Sequence, residues 1–121
     1  MGIAMKFPSA NWIRLAGVGL ALGSLPAAAA PALPTLVLKD HRFTPATLTV
    51  PAGQKLRIVL VNRDKSTEEF DSHDLKVEKL VTPNSQVIIS IGPLKPGTYS
   101  FMGEFHPATA QGRIVAVEAR P

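Results

Sequence analysis

The chain of 121 residues has no cysteine, and thirteen Lys and Arg against nine Asp and Glu give it a formal charge of +4. That length accommodates one domain. The missing cysteines exclude a disulfide scaffold and any thiolate metal site. No cluster of Lys and Arg with interleaved aromatics is present, so no nucleic-acid partner is expected.

Residues 1–29 read as a secretory signal peptide. Lys6 and Arg14 precede a short apolar run over 15–25, Pro26 breaks it, and the alanines at 27–30 supply an A-x-A site with cleavage after Ala29. The run is shorter than the ~20 residues a membrane span needs. Its removal takes Lys6 and Arg14 with it, leaving eleven basic and nine acidic residues, about +2. Residues 30–34 form a short stiff linker, and 35–121 are the folded domain.

Within that domain the first strand spans 35–39 and is followed by a turn over 40–45, where Phe43 plugs one end of the core. A short strand at 48–50 ends in the turn Pro51-Ala52-Gly53. Residues 56–62 alternate, with Leu56, Ile58 and Leu60 on one face and Val59 and Val61 on the other. The polar segment 62–74 gathers Glu68, Glu69, Asp71, His73 and Asp74 around one apolar anchor, Phe70. An edge strand at 77–81 is guarded by Lys76 and Lys79, and a further strand covers 86–91. Six or seven short strands, Gly and Pro punctuation and no helical period after the signal predict an all-β, antiparallel Greek-key β-sandwich.

The stretch that organises the chain is 97–115, G-T-Y-S-F-M-G-E-F-H-P-A-T-A-Q-G-R-I-V. Tyr99 and Phe101 share one face of a strand, a loop carries Glu104, His106 and Gln111, and a second strand at 113–117 closes it. A loop whose ends are fixed by two strands is a natural place for function. This pattern, G-x-Y-x-F, a ligand loop and G-[KR]-[IV] at 112–114, resembles the closing signature of the cupredoxin family, as does F-x-P-A-x-L-x-V-P-A-G over 43–53. The resemblance covers about residues 35–118. The family's loop supplies Cys, then His three residues later, then an axial Met; those slots here hold Gly103, His106 and Gln111. Its first His follows an Asn by six or seven residues, and here Glu68-Glu69-Phe70 fills that slot after Asn62. The resemblance implies a cupredoxin-like sandwich, and the missing thiolate excludes type 1 blue copper.

Three phrases, E-E-F-[DE]-S at 68–72, I-G-P-L-K-P-G-x-Y at 91–99 and G-E-F-H-x-x-T-A-Q-G at 103–112, are similar to a narrower group. These are Cys-less exported cupredoxin-like proteins associated with bacterial ferrous-iron uptake. That resemblance implies a periplasmic protein that oxidises iron or presents it to a membrane permease, with a periplasmic iron-binding partner, and it carries over Glu69, Glu104 and His106 as metal residues. The residues add three candidates of their own. His73 and Asp71 share the parity of Glu69 in an extended segment, and Gln111 sits in the axial slot or stabilises the loop as an amide. Glu68 is the alternative to Glu69. His41 is expected to cap a turn and Met102 to pack.

Carboxylate and imidazole ligands suit iron, manganese, zinc or cupric copper, and Met102 is the only Met after the signal, so iron or copper is expected and a cuprous shuttle is not. Anionic oxygen ligands favour Fe(III) over Fe(II), which leaves a ferroxidase activity open, with dioxygen or a bound copper as electron acceptor. Two alternatives stand beside iron handling. One is a cupric-copper binding or tolerance protein using His106, His73 and a carboxylate. The other is a metal-free interaction module, in which the acidic residues are a solvated loop. No G-x-S-x-G or other hydrolase signature is present.

Overall fold

Alternation of apolar and polar residues decides which face of each strand turns inward. It is clearest in the strand Leu56–Asn62, whose Leu56, Ile58 and Leu60 are buried while Arg57 is exposed. A computed structural model describes residues 32–119. The signal peptide expected over 1–29 and the first two linker residues lie outside the described residues. Among the described residues there are nine strands and no helix: β1 Thr35–Lys39, β2 Arg42–Thr44, β3 Thr47–Pro51, β4 Leu56–Asn62, β5 Glu68–Ser72, β6 Val77–Val81, β7 Ser85–Ile91, β8 Gly97–Gly103 and β9 Gln111–Val117.

They form two sheets, ordered β2-β1-β4-β7 and β3-β9-β8-β5-β6. Each sheet is mixed. β1 runs parallel to β4 and β3 parallel to β9, while the other pairs are antiparallel. The chain leaves the first sheet after β2, contributes β3 to the second and returns as β4. That excursion lets β4 lie beside β1 in the same direction, whereas a short hairpin could only reverse it. Residues 40–45, expected as a single turn, divide into a turn and a strand. Only Asp40 and His41 form the turn, and β2 follows it.

The core lies between the sheets, with Leu36, Leu38, Ile58, Leu60, Ile89 and Ile114 at its centre. Phe43 fills one end as expected, meeting Phe101 edge-on at 5.0 Å and Phe70 at 6.2 Å, while Phe70 and Phe101 stack at 4.8 Å. Room for Phe101 comes from Gly112 opposite it in the β8/β9 register: a Cβ there would lie 2.4 Å from the Phe101 ring. Close packing of three aromatic rings makes this end rigid, and it is the end that carries the loops bearing the candidate site.

Asn62 fixes where those loops start. Fully buried at the end of β4, it donates from Nδ2 to the carbonyls of Ser66, Val81 and Thr82, and its Oδ1 accepts from the Asp64 N–H. One amide thus satisfies four backbone groups and ties the 63–67 loop to the end of β6.

Candidate metal centre

The 104–110 loop between β8 and β9 is built on its own backbone. Gly103 N–H donates to Ala110 O at 2.8 Å, His106 N–H to Gly103 O at 3.1 Å and Ala110 N–H to His106 O at 2.9 Å. This winding presents the His106 ring to the start of β5. There Glu68, only 1 % exposed, places Oε2 at 2.6 Å from His106 Nδ1. Its other oxygen, Oε1, accepts the N–H groups of Phe105 at 2.8 Å and Glu69 at 3.0 Å. A buried carboxylate is tolerated only when its oxygens are satisfied in this way.

The space Glu68 fills is the one a side chain at 103 would need. A Cβ on Gly103 would sit 2.6 Å from Glu68 Cδ, 2.8 Å from its Oε2 and 2.8 Å from Ala110 Cβ. Glycine is required here by close approach, not by backbone angle.

His41 completes the arrangement. The turn Asp40-His41 joins β1 to β2 with both residues at positive φ, 52° and 57°, the left-handed pair of a two-residue hairpin. Asp64 stabilises that unusual backbone by accepting Asp40 N–H at 2.6 Å and His41 N–H at 2.9 Å. The His41 ring then stacks on His106 with centroids 3.5 Å apart and planes within 9°. The expected turn role for His41 is present, together with a ring contact that the sequence does not announce.

Burial alone pushes the Asp64 carboxyl up, but the backbone hydrogen bonds from His41 and Asp40 and the nearby His41 and Lys39 charges outweigh it and hold it below the ordinary value of 3.8. The unfolded chain therefore binds this proton more tightly. The stability Asp64 supplies is present above about pH 4 and is lost as pH falls through its lower folded value. Asp64→Ala is expected to cost about 2 kcal/mol at pH 7 by urea unfolding, the scale of hydrogen bonds to a charged group. The difference from the parent should narrow below pH 4.

Of the remaining candidates, Glu69 and Asp71 lie on the outer face of the β3-β9-β8-β5-β6 sheet. β5 alternates, so Glu68, Phe70 and Ser72 point in and Glu69 and Asp71 point out. Glu69 meets Glu104 and Glu78, with one carboxylate oxygen from each lying within 4.8 Å of the others. A hydrogen bond to the Glu104 carboxyl, then partial desolvation, then the charges of Glu104, Glu78 and Asp71 push the Glu69 carboxyl up to about 7. Asp71 stands opposite Met102 on β8 and Glu78 on β6. His73 is exposed in the turn after β5, apart from these groups. Gln111 donates from Nε2 to Pro107 O at 2.7 Å, stabilising the loop. The six sequence candidates are thus divided between places: His106 at the inner pair, Glu69 and Glu104 in the outer trio with Asp71 beside it, and His73 and Gln111 in neither. Sequence reasoning held Glu68 only as an alternative and passed over Glu78. For Glu68 the signal was there, since it shares the parity of the buried Phe70.

This is the architecture of a small cupredoxin sandwich, with the loop between its last two strands at the metal end. The chain belongs to the cupredoxin-like domain family, whose pattern it matches over residues 13–116. It is 46 % identical over 80 residues to an uncharacterised protein of Rickettsia prowazekii, the match covering 66 % of this chain and 64 % of that one. The chain therefore spans a little under two thirds of that relative's length. Amicyanin from Paracoccus versutus superposes with a TM-score of 0.57 at 14 % identity, over 78 % of this chain and 87 % of amicyanin. A purple cupredoxin from Nitrosopumilus maritimus gives 0.55 at 14 % identity, over 69 % and 99 %. Reduced auracyanin from Roseiflexus castenholzii gives 0.58 at 14 % identity, over 74 % and 99 %. At such identities the likeness establishes the fold alone.

The copper ion that this fold typically binds does not fit the inner position. Type 1 copper requires a thiolate, position 103 has no side chain, and the adjoining space holds the Glu68 carboxylate. His106 Nδ1 is already engaged by that carboxylate.

Proposed function

We propose that this chain is an exported, periplasmic metal-binding protein that takes iron as cargo for a membrane uptake system, delivering it to a permease or to a periplasmic iron-binding partner. The observation that carries this reading is the convergence of Glu69, Glu78 and Glu104 within 4.8 Å. Three hard anionic oxygen donors suit iron and stabilise Fe(III) more than Fe(II). Such a site favours loss of one electron from each bound Fe(II) to an acceptor such as dioxygen, which is the ferroxidase form of the proposal.

Anaerobic titration of the exported chain with Fe(II), Cu(II) and Zn(II) tests it. One ion is expected to bind, and Glu69→Gln or Glu104→Gln should weaken Fe(II) at least about tenfold, since loss even of a group that only orients a ligand costs about 10–100-fold. Variants that bind like the parent overturn the carboxylate site.

The proton held between Glu69 and Glu104 must leave before an ion enters, so affinity should rise with pH up to about 7, by about tenfold per unit if one proton is released. Stability of the metal-free protein should move the other way. The folded state holds this proton up to about 7 against 4.5 for the ordinary carboxyl, so the Glu69 contribution falls as pH rises between those values. Affinity flat from pH 5.5 to 7.5 contradicts the shared proton.

A second reading has its own support. Glu68 closes the inner position, which favours a metal-free interaction module. That reading predicts no ion uptake in the titration and stability unchanged by chelator.

A further inference from the structure

A cleft of about 530 Å³ opens between the Asp40-His41 turn and the loop that follows β4, walled in part by Lys39, Arg63, Lys65 and Ser66. Strand register explains why its cations stand together. Arg63 N–H donates to Leu38 O at 2.8 Å, which extends the parallel β1/β4 ladder one step beyond Leu38 and Asn62 and brings Lys39 beside Arg63. Arg42 lies directly opposite Lys39 in the antiparallel β1/β2 pair. Leu38, Phe43 and Asn62 are buried, so by alternation Arg42, Lys39 and Arg63 form an exposed row on the outer face of the first sheet. Lys65 stands exposed two residues further on.

Like charges set opposite one another in a sheet are destabilising. Among the described residues nothing offsets them, because the salt bridge found there joins His106 to Glu68 and none of these four cations has a carboxylate partner. Asp40 and Asp64 also border the cleft. Asp64 is 8 % exposed, and its two oxygens accept the N–H groups of Asp40 and His41 at 2.6 and 2.9 Å. Four cations against two carboxylates leave a local surplus of two positive charges.

We propose that this cleft is an oxyanion site that takes a phosphate dianion, free or as a monoester, between Lys39, Arg63 and Lys65, with the Ser66 hydroxyl as a further donor.

The chemistry of the walls matches that ligand. A phosphate monoester carries close to two negative charges near neutral pH, equal to the surplus, whereas a lone carboxylate carries one. A guanidinium presents paired N–H groups to two phosphate oxygens, and lysine adds a mobile point charge. Ser66 Oγ lies 3.4 Å from His41 Nε2, so the hydroxyl sits where the two walls meet.

Both walls are also fixed before a ligand arrives. Asp64 belongs to one wall and holds the backbone of the other through its two accepted N–H groups. Asn62, buried beneath, holds Ser66 O from Nδ2 at 2.8 Å and Asp64 N–H at Oδ1 at 2.9 Å. Walls placed in advance reduce the ordering cost of binding. Glu69 and Glu78 of the proposed iron site belong to the other sheet, so this site stands or falls independently of the metal reading.

The test follows backbone amide shifts of the metal-free protein during titration with sodium phosphate, at fixed pH and with ionic strength held by sodium chloride. Saturable shifts confined to residues 39–41 and 63–66 are expected. Combining Arg63→Gln with Lys65→Gln should weaken binding about tenfold or more, as for loss of a charge-assisted hydrogen bond. Lys55→Gln with Arg57→Gln removes the same charge at the opposite end of β4 and should leave the titration unchanged. All four positions are exposed, so both double variants are expected to fold. A parallel titration with glycerol phosphate separates the two forms of the ligand: tighter binding than inorganic phosphate assigns the site to a monoester, weaker binding to the free ion. Shifts that stay linear with phosphate, or equal weakening in the two double variants, overturn the proposal, because the cations then act only through net charge.

Discussion

Glu68→Ala is expected to destabilise the domain by about 3 kcal/mol at neutral pH. The carboxylate is 1 % exposed and serves three donors: His106 Nδ1 and the N–H groups of Phe105 and Glu69. Truncation leaves all three without an acceptor and opens a cavity beside Gly103. Breaking a buried ionic or charge-assisted pair costs about 3–5 kcal/mol, and the low end applies because His106 retains some contact with water. Urea unfolding with an unchanged m-value reads this directly. A loss below about 1 kcal/mol would mean that the pair contributes little to the fold.

Gly103→Cys, the substitution that restores the missing thiolate in the cupredoxin pattern, is expected to destabilise the protein and to yield no blue copper centre. The new Cβ would fall 2.6 Å from Glu68 Cδ and 2.8 Å from Ala110 Cβ, both in the interior. Overpacking of this kind costs about 1–3 kcal/mol, and more where the neighbours cannot give way. His106 Nδ1 would still be engaged by Glu68. Adding Glu68→His removes the carboxylate that engages His106 Nδ1 and supplies an imidazole six residues after Asn62. The double variant thus presents the two histidines and one cysteine of a type 1 site, with the Ala110 contact still to be relieved. Its expected signature is Cu(II) binding with intense thiolate-to-copper absorption in the visible. A blue centre in the single Gly103→Cys variant at parental stability would show that Glu68 does not occupy the metal's place.

Much of the fold was legible because two periodicities carry it. Strand alternation in 56–62 and the closing pattern over 97–117 place β4, β8 and β9 and so the end of the sandwich that carries the candidate site. What sequence could not give was the pairing between distant segments. The parallel neighbours β1/β4 and β3/β9 arise from the chain's passage between sheets, which leaves no local trace.

The candidate site divides along the same line. His106 is legible from its loop position, and Glu69 and Glu104 do converge. The inner role of Glu68 follows from parity with Phe70 once Phe70 is taken as core, but the density of acidic residues between 68 and 74 hid that inference. Glu78 joins the trio only through the β5/β6 register, where it stands opposite Asp71. Asp64 acts on a turn 23 and 24 residues away, and no local pattern couples them.

The measurement that bears most directly on the account is iron-edge anomalous diffraction from crystals of the protein exposed anaerobically to Fe(II). The account predicts a peak on the outside of the sandwich, at the Glu69, Glu78 and Glu104 carboxylates, with the Glu68 carboxylate still against Gly103. A peak between His106 Nδ1 and residue 103, with Glu68 displaced, would contradict it.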